Sequence, residues 1–129
     1  MMVSLLRKFT PKFLASWYHF CLAFLGVALY GFPSRKLIVI GVTGTNGKST
    51  TVDMISRIFK EAGFKTASFS SIRFQIKDKE RKNTLKMTMP GRFLIQKFLR
   101  QAVNEKCTHA IIEVTSEGIL QHRHRFINF

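Results

Sequence analysis

At 129 residues and 46% hydrophobic, the chain has room for one domain with a sizeable core, which excludes a complete multidomain enzyme within these residues. Its formal net charge of +14 favours polyanions such as nucleotides, nucleotide sugars, nucleic acids or acidic lipid headgroups, without choosing among them. Cys21 and Cys107 stand far apart, one in an apolar run and one before an expected strand, so a disulfide framework or zinc site has no support and both read as reduced thiols.

Residues 13–32 form an apolar run whose only strongly polar members are Ser16 and His19. As a helix it is long enough to cross a hydrocarbon core of about 30 Å. Arg7, Lys8 and Lys12 precede it and Arg35 and Lys36 follow it, so the positive-inside rule sets no orientation. Trp17, Tyr18 and Tyr30 suit an interfacial belt and equally suit packing on protein. Membrane contact through 13–32 and a buried helix therefore both stand open. No small-x-small site follows the run, which argues against a cleaved signal peptide; the phosphate-loop chemistry that follows in the chain belongs in the cytoplasm, so a membrane contact would use the inner face.

Gly31-Phe-Pro-Ser34 punctuates the chain and divides an apolar helical segment, 1–36, from a domain over 37–129. Leu37–Val42 is a short, wholly apolar strand of the kind buried in a parallel sheet. Val52, Ile55, Ile58, Phe59 and Ala62 then recur at helical spacing, with Gly63 placed as a C-cap. Phe64–Ser71 is the next strand, and the basic stretch after it is a hairpin or an exposed excursion. Ten cations lie between Arg73 and Lys106 against Asp78, Glu80 and Glu105, which on charge alone is equally a solvated face. Ile95, Phe98, Leu99, Ala102 and Val103 mark a second amphipathic helix, and Thr108–Val114 a further buried strand. Alternating strands and helices predict an α/β fold, a doubly wound parallel sheet with flanking helices and ligands beyond the carboxyl ends of its strands.

The junction of the first strand and helix carries the chemistry. Gly44-Thr-Asn-Gly-Lys-Ser49 supplies glycines that turn backbone N–H groups inward, a lysine for β/γ-phosphates, and a hydroxyl for Mg²⁺. The helix that follows adds its positive N-terminal end. The common phosphate loop has a glycine five residues before Gly47; here that place is Val42, and glycines stand at 41 and 44. Glu113, closing an apolar strand, reads either as a structural carboxylate or as a metal ligand.

Gly41-Val-Thr-Gly-Thr-Asn-Gly-Lys-Ser-Thr-Thr51, with its displaced glycines, resembles the ATP loop of the Mur ligases. Thr88-Met-Pro90 is similar to the Thr-Thr-Pro segment of the family's tripeptide-forming branch, and Glu113-Val-Thr-Ser-Glu-Gly118 with Gln121-His-Arg123 is similar to its Glu-Val-Ser-Ser-His-Gly and Gln-x-Arg segments. The likeness runs from about Leu37 onward. It implies the P-loop type central domain of that family and an ATP-dependent ligase that joins an amino acid to a UDP-N-acetylmuramoyl peptide through an acyl phosphate. Gly44, Thr45, Asn46, Gly47, Lys48, Ser49 and Thr50 would hold ATP, Ser49 and Glu113 would hold Mg²⁺, and Lys48 and Glu113 would serve catalysis. Thr88, Thr115, Gln121 and Arg123 would face the nucleotide-sugar peptide. Met89, Thr115 and Glu117 replace the family's threonine, serine and histidine, so the substrate-side pattern departs more than the ATP loop does. The resemblance also implies a uridine-nucleotide domain, a carbamylated lysine and an amino-acid-binding domain outside these residues, so the chain is expected to be a truncated central domain.

Two other readings share the loop: a folate polyglutamate-type ligase, and a non-catalytic, membrane-tethered ATP-binding module. Thr88-Met-Pro90 and Gln121-x-Arg123 favour the Mur branch over the first, and intact Lys48, Ser49 and Glu113 favour enzymatic ancestry over the second. The chain contains no recognisable nucleic-acid motif. His19 and His109 read as structural, and His122, His124 and Arg125 as a basic helix end.

Overall fold

The computed structural model describes residues 11–84, 89 and 91–129. Its elements run α1 (Lys12–Leu29), a 3-10 turn (Pro33–Lys36), β1 (Ile38–Val42), α2 (Lys48–Glu61), β2 (Thr66–Phe69), β3 (Arg73–Ile76), β4 (Lys79–Lys82), α3 (Arg92–Asn104), β5 (His109–Glu113) and α4 (Ser116–Leu120).

The five strands make one sheet in the order β1-β5-β2-β3-β4. β5 pairs in parallel with β1 on one side and β2 on the other, whereas β3 and β4 pair antiparallel. The sheet is thus mixed, a correction to the parallel sheet expected from strand–helix alternation. The physical reason is local: the links Ser70-Ser-Ile72 and Lys77-Asp78 are both too short for a crossover helix, so the chain doubles back twice, β3 against β2 and β4 against β3, with Lys77 in the left-handed region (φ 54°). The ambiguity of the basic stretch resolves as a hairpin. Arg73 pins it, bonding to Asp53 of α2 and to Glu80 of β4 at 2.8 Å, and these two carboxylates hold the Arg73 guanidinium above its ordinary pKa, Glu80 first and then Asp53.

Alternation along the strands assigns the two faces. Ala67 and Phe69 of β2 and Ala110 and Ile112 of β5 meet Ile95, Phe98, Leu99 and Ala102 of α3 in the main apolar core. The periodicity that marked α3 is the stripe that it buries, each large side chain contributing roughly 1.5–3 kcal/mol. The other face belongs to α2: Ser56 approaches Thr66 at 3.4 Å, and Phe59 stacks on His109 with ring centroids 4.6 Å apart. His109 is accordingly a packed, structural histidine, as expected. Gly63 takes φ 90° just past the end of α2, where a side chain would be strained.

α1 lies against α3. Gly26 sits at the contact, where a Cβ would stand 3.4 Å from the Arg92 carbonyl oxygen, at ordinary van der Waals distance. Arg100 of α3 donates to the Tyr30 and Gly31 carbonyls at 2.7 and 3.0 Å, capping the end of α1. Only 17% of α1 is buried, so it is not a core helix. Both cysteines are free; Cys21 is exposed on α1, and burial pushes the Cys107 thiol up from its ordinary pKa.

Candidate functional site

The three parallel strands bring their carboxyl ends to one place. Val42 of β1 stands opposite Glu113 of β5, and Phe69 of β2 opposite Ile112 of β5, so the loop 43–47, the Glu113 side chain and Ser70–Ser71 emerge side by side. Gly47 is the N-cap of α2 with φ 75°, a left-handed conformation that glycine adopts without cost, and nothing lies within 4 Å of where its Cβ would be. Lys48 opens α2 and folds back, its Nζ donating to the Gly44 carbonyl at 2.9 Å. Thr51 Oγ1 donates to the Gly47 carbonyl at 2.8 Å, closing the first turn. Thr45, Asn46 and Thr50 are exposed around this rim.

Glu113 is 2% exposed. Its Oε2 accepts from the Ser49 hydroxyl at 2.8 Å and from the Ser71 N–H at 2.9 Å, while the Ser49 and Ser71 hydroxyls lie 2.6 Å apart. Among the described residues no lysine or arginine forms an ion pair with it. A buried carboxylate held by a hydroxyl and an amide, with no cation, is electrostatically incomplete. That arrangement, one carboxylate and two hydroxyls facing a glycine-rich rim, fits Mg²⁺, which takes few protein oxygens and fills its remaining positions with phosphates and water. It does not amount to an all-protein metal cage: among the described residues no cluster of three or more His, Cys, Asp or Glu could hold a metal. Ser71 went unnoticed in the sequence; its only signal was the serine pair Ser70-Ser71 at the expected end of a strand.

The second group of expected residues sits past β5. Thr115, two residues beyond Glu113, N-caps α4, its Oγ1 accepting from the Gly118 N–H at 3.0 Å. Gln121 and Arg123 come together: Arg123 donates to Gln121 Oε1 and to the Met89 carbonyl, both at 2.5 Å, and Gln121 donates to Glu117 at 3.0 Å. Thr88 lies outside the described residues. Met89, where the family pattern has a hydroxyl, is 1% exposed and joins the core; a Cβ on Gly118 would stand 2.3 Å from its sulfur.

Beside this pair stands Arg92, which sequence reasoning passed over as one cation among many. It donates to the Gln121 carbonyl at 2.9 Å and to His19 Nδ1 at 2.6 Å. Burial and then the Arg123 charge lower its pKa, and burial and then the Arg92 charge lower that of His19. His122, left-handed at φ 56°, lies in the turns after the five-residue α4 rather than in its last turn, and its Nε2 meets Ser16 Oγ at 2.8 Å. His122, His124 and Arg125 are therefore not a basic helix end. The surface depressions lined by Ser34, Arg35 and Phe126, and by Arg57, Lys60 and Arg73, lie away from the glycine loop.

A family model described as the Mur ligase middle domain matches residues 42–129, from the last residue of β1 through the loop and Glu113 to the end of the chain. The chain belongs to the Mur ligase family. Over 94 residues this Mur ligase chain is 42% identical to the UDP-N-acetylmuramoyl-L-alanyl-D-glutamate--2,6-diaminopimelate ligase of Cytophaga hutchinsonii, covering 73% of this chain and 19% of that protein. Over 92 residues it is 36% identical to the UDP-N-acetylmuramyl-tripeptide synthetase of Treponema pallidum, covering 71% of this chain and 17% of that protein. A solved UDP-N-acetylmuramoyl-L-alanyl-D-glutamate--2,6-diaminopimelate ligase superposes with a TM-score of 0.62 at 26% identity, covering 70% of this chain and 18% of that one. This Mur ligase chain thus spans about a fifth of the length of the curated relatives it matches.

Proposed function

We propose that this chain is the ATP-binding part of a ligase of peptidoglycan precursor synthesis, which activates a UDP-N-acetylmuramoyl peptide carboxylate as an acyl phosphate and passes it to the amino group of an amino acid. The observation that carries the reading is Glu113, buried, bonded to Ser49 and without an ion-pair partner among the described residues, at the mouth of a glycine loop. In this reading the loop amides and Lys48 bind the ATP phosphates, and Lys48 leaves the Gly44 carbonyl to reach them. Ser49 and Glu113, with Ser71 beside them, hold Mg²⁺. A Mg²⁺ held by these residues would supply charge neutralisation at the transferring phosphoryl group. Thr115, Gln121 and Arg123, whose neighbour Arg92 adds its charge, would contact the nucleotide-sugar peptide, and the family motif gives Thr88 the same role. The reaction runs in the cytoplasm, at the inner face of the membrane. Several relatives are named for 2,6-diaminopimelate, which makes a diamino acid the first to test.

The test is a chimera. Residues 37–129 replace the corresponding segment of the Cytophaga hutchinsonii ligase, and amide formation from ATP, nucleotide-sugar dipeptide and 2,6-diaminopimelate is followed by mass spectrometry. Ligation that is retained by the chimera and lost with Lys48→Ala supports the reading. A folded chimera that binds ATP and makes no amide supports the non-catalytic module instead.

A further inference from the structure

α1 has two apolar faces with different surroundings. On the inner one Ala23, Gly26 and Val27 are buried, Phe20 and Phe24 meet the Phe126 ring at centroid distances of 5.3 and 5.6 Å, and Arg92 and Arg100 tie the helix to α3. On the outer one Leu14, Trp17, Tyr18, Leu25 and Leu29, spaced i, i+3, i+4, i+11 and i+15, share a face and are 49–66% exposed. An apolar patch of this kind marks a surface that something covers.

Charge identifies the cover. From residue 1 to residue 52 the only charged side chains are Arg7, Lys8, Lys12, Arg35, Lys36 and Lys48, all basic. Lys12 stands exposed at one end of α1, and Arg35 and Lys36 stand exposed just past the other. A second copy of this chain, at +14, would bring cations against cations. An anionic lipid surface answers both features at once, taking apolar side chains below the headgroups and cations among them. Trp17 and Tyr18 on the outer face are the aromatic types that favour that depth. Length alone would let the 18 residues of α1 span, but a spanning helix would have to abandon Gly26, Arg92 and Arg100 contacts to α3.

We propose that α1 lies in the plane of an anionic membrane surface, its Leu14–Trp17–Tyr18–Leu25–Leu29 face in the interface and its opposite face on α3. This gives the proposed membrane-face location a mechanism, and it is independent of what the glycine loop binds.

Trp17 is the chain's single tryptophan, so its fluorescence reports on this face directly. The 129-residue chain, without nucleotide, is mixed with vesicles of phosphatidylcholine alone or with phosphatidylglycerol, and co-flotation and emission are followed. The expected result is co-flotation and a blue shift with the anionic vesicles, quenched more by lipids brominated near the headgroup than near the chain ends. Leu14→Glu combined with Leu25→Glu, both at exposed positions, should weaken binding at least about tenfold with an unchanged melting temperature. Absence of co-flotation overturns the proposal. Stronger quenching by the deep bromines overturns it in favour of a spanning helix. Emission that is already blue without vesicles and reddens on dilution overturns it in favour of a second copy. Full binding by the folded double variant overturns the assignment of the face.

Discussion

Glu113→Gln separates a metal ligand from a structural carboxylate because glutamine keeps the size and one acceptor oxygen but not the charge. In the apo protein the Glu113 carboxylate accepts two hydrogen bonds, from Ser49 and Ser71. Bonds to a charged acceptor are worth about 1.5–3 kcal/mol and neutral ones about 0.5–1.5, so weakening both costs about 2–3 kcal/mol. Against that, a carboxylate 2% exposed, with no ion-pair partner among the described residues, carries a desolvation penalty of several kcal/mol, which the neutral amide escapes. The two terms oppose, and apo stability should move by no more than about 1 kcal/mol, a few degrees in melting temperature. Nucleotide binding should change with sign. Without metal, Glu113 repels the phosphates, and its neutralisation leaves affinity unchanged or raises it. With Mg²⁺, losing the carboxylate should lower affinity about 30–100-fold, or about 2–3 kcal/mol. Titration of a fluorescent ATP analogue with and without Mg²⁺, alongside apo melting, reads all three. Equal losses in both conditions, or a large drop in melting temperature with metal dependence intact, would refute the metal role.

Lys48→Ala should weaken binding of the same analogue at least about 30-fold, since the cation lost is one that the loop amides cannot replace; unchanged affinity would remove the phosphate-loop assignment. The 129 residues alone should bind ATP but form no amide with any amino acid, because groups that orient the amine supply much of the catalysis; mass spectrometry showing turnover would contradict this. Gly118→Ala should cost about 1–3 kcal/mol by driving a methyl into the Met89 sulfur, and less in a Met89→Ala background, a coupling that denaturant unfolding of the four variants measures. Both His19 and His124 have imidazoles depressed first by burial and then by a neighbouring arginine, Arg92 and Arg125 respectively. The unfolded chain therefore takes up protons first on acidification, so stability present above about pH 6.5 falls as pH drops through the folded pKa values, and His19→Gln should remove part of that fall in melting temperature.

The strand–loop–helix unit was legible because its signals are local: a wholly apolar strand, glycines, then 3.6-residue periodicity. β5 and α3 were legible for the same reason. The antiparallel hairpin is not legible because Lys79-Glu-Arg-Lys82 has no alternation to read; all four of its side chains are exposed, and the hairpin is held on the core by its other strand, through Phe74 and Ile76, with the Arg73 ion pairs beside them. The role of Ser71 depends on β2 and β5 being neighbours, a pairing that no local pattern encodes. Arg92 likewise gained meaning only when α1 and the turn after α4 closed around it.

The strand order has a directional consequence. At one edge β4 presents Lys-Glu-Arg-Lys, a fringe of charged side chains of the kind that disfavours pairing with a further strand. At the other, β1 offers Ile38-Val-Ile-Gly-Val42 with no charge at all, and Ile38 is 60% exposed. A polypeptide that lengthens this sheet, whether from the same molecule or another, thus meets less opposition beside β1 than beside β4, so the two edges are not equivalent for growth of the sheet.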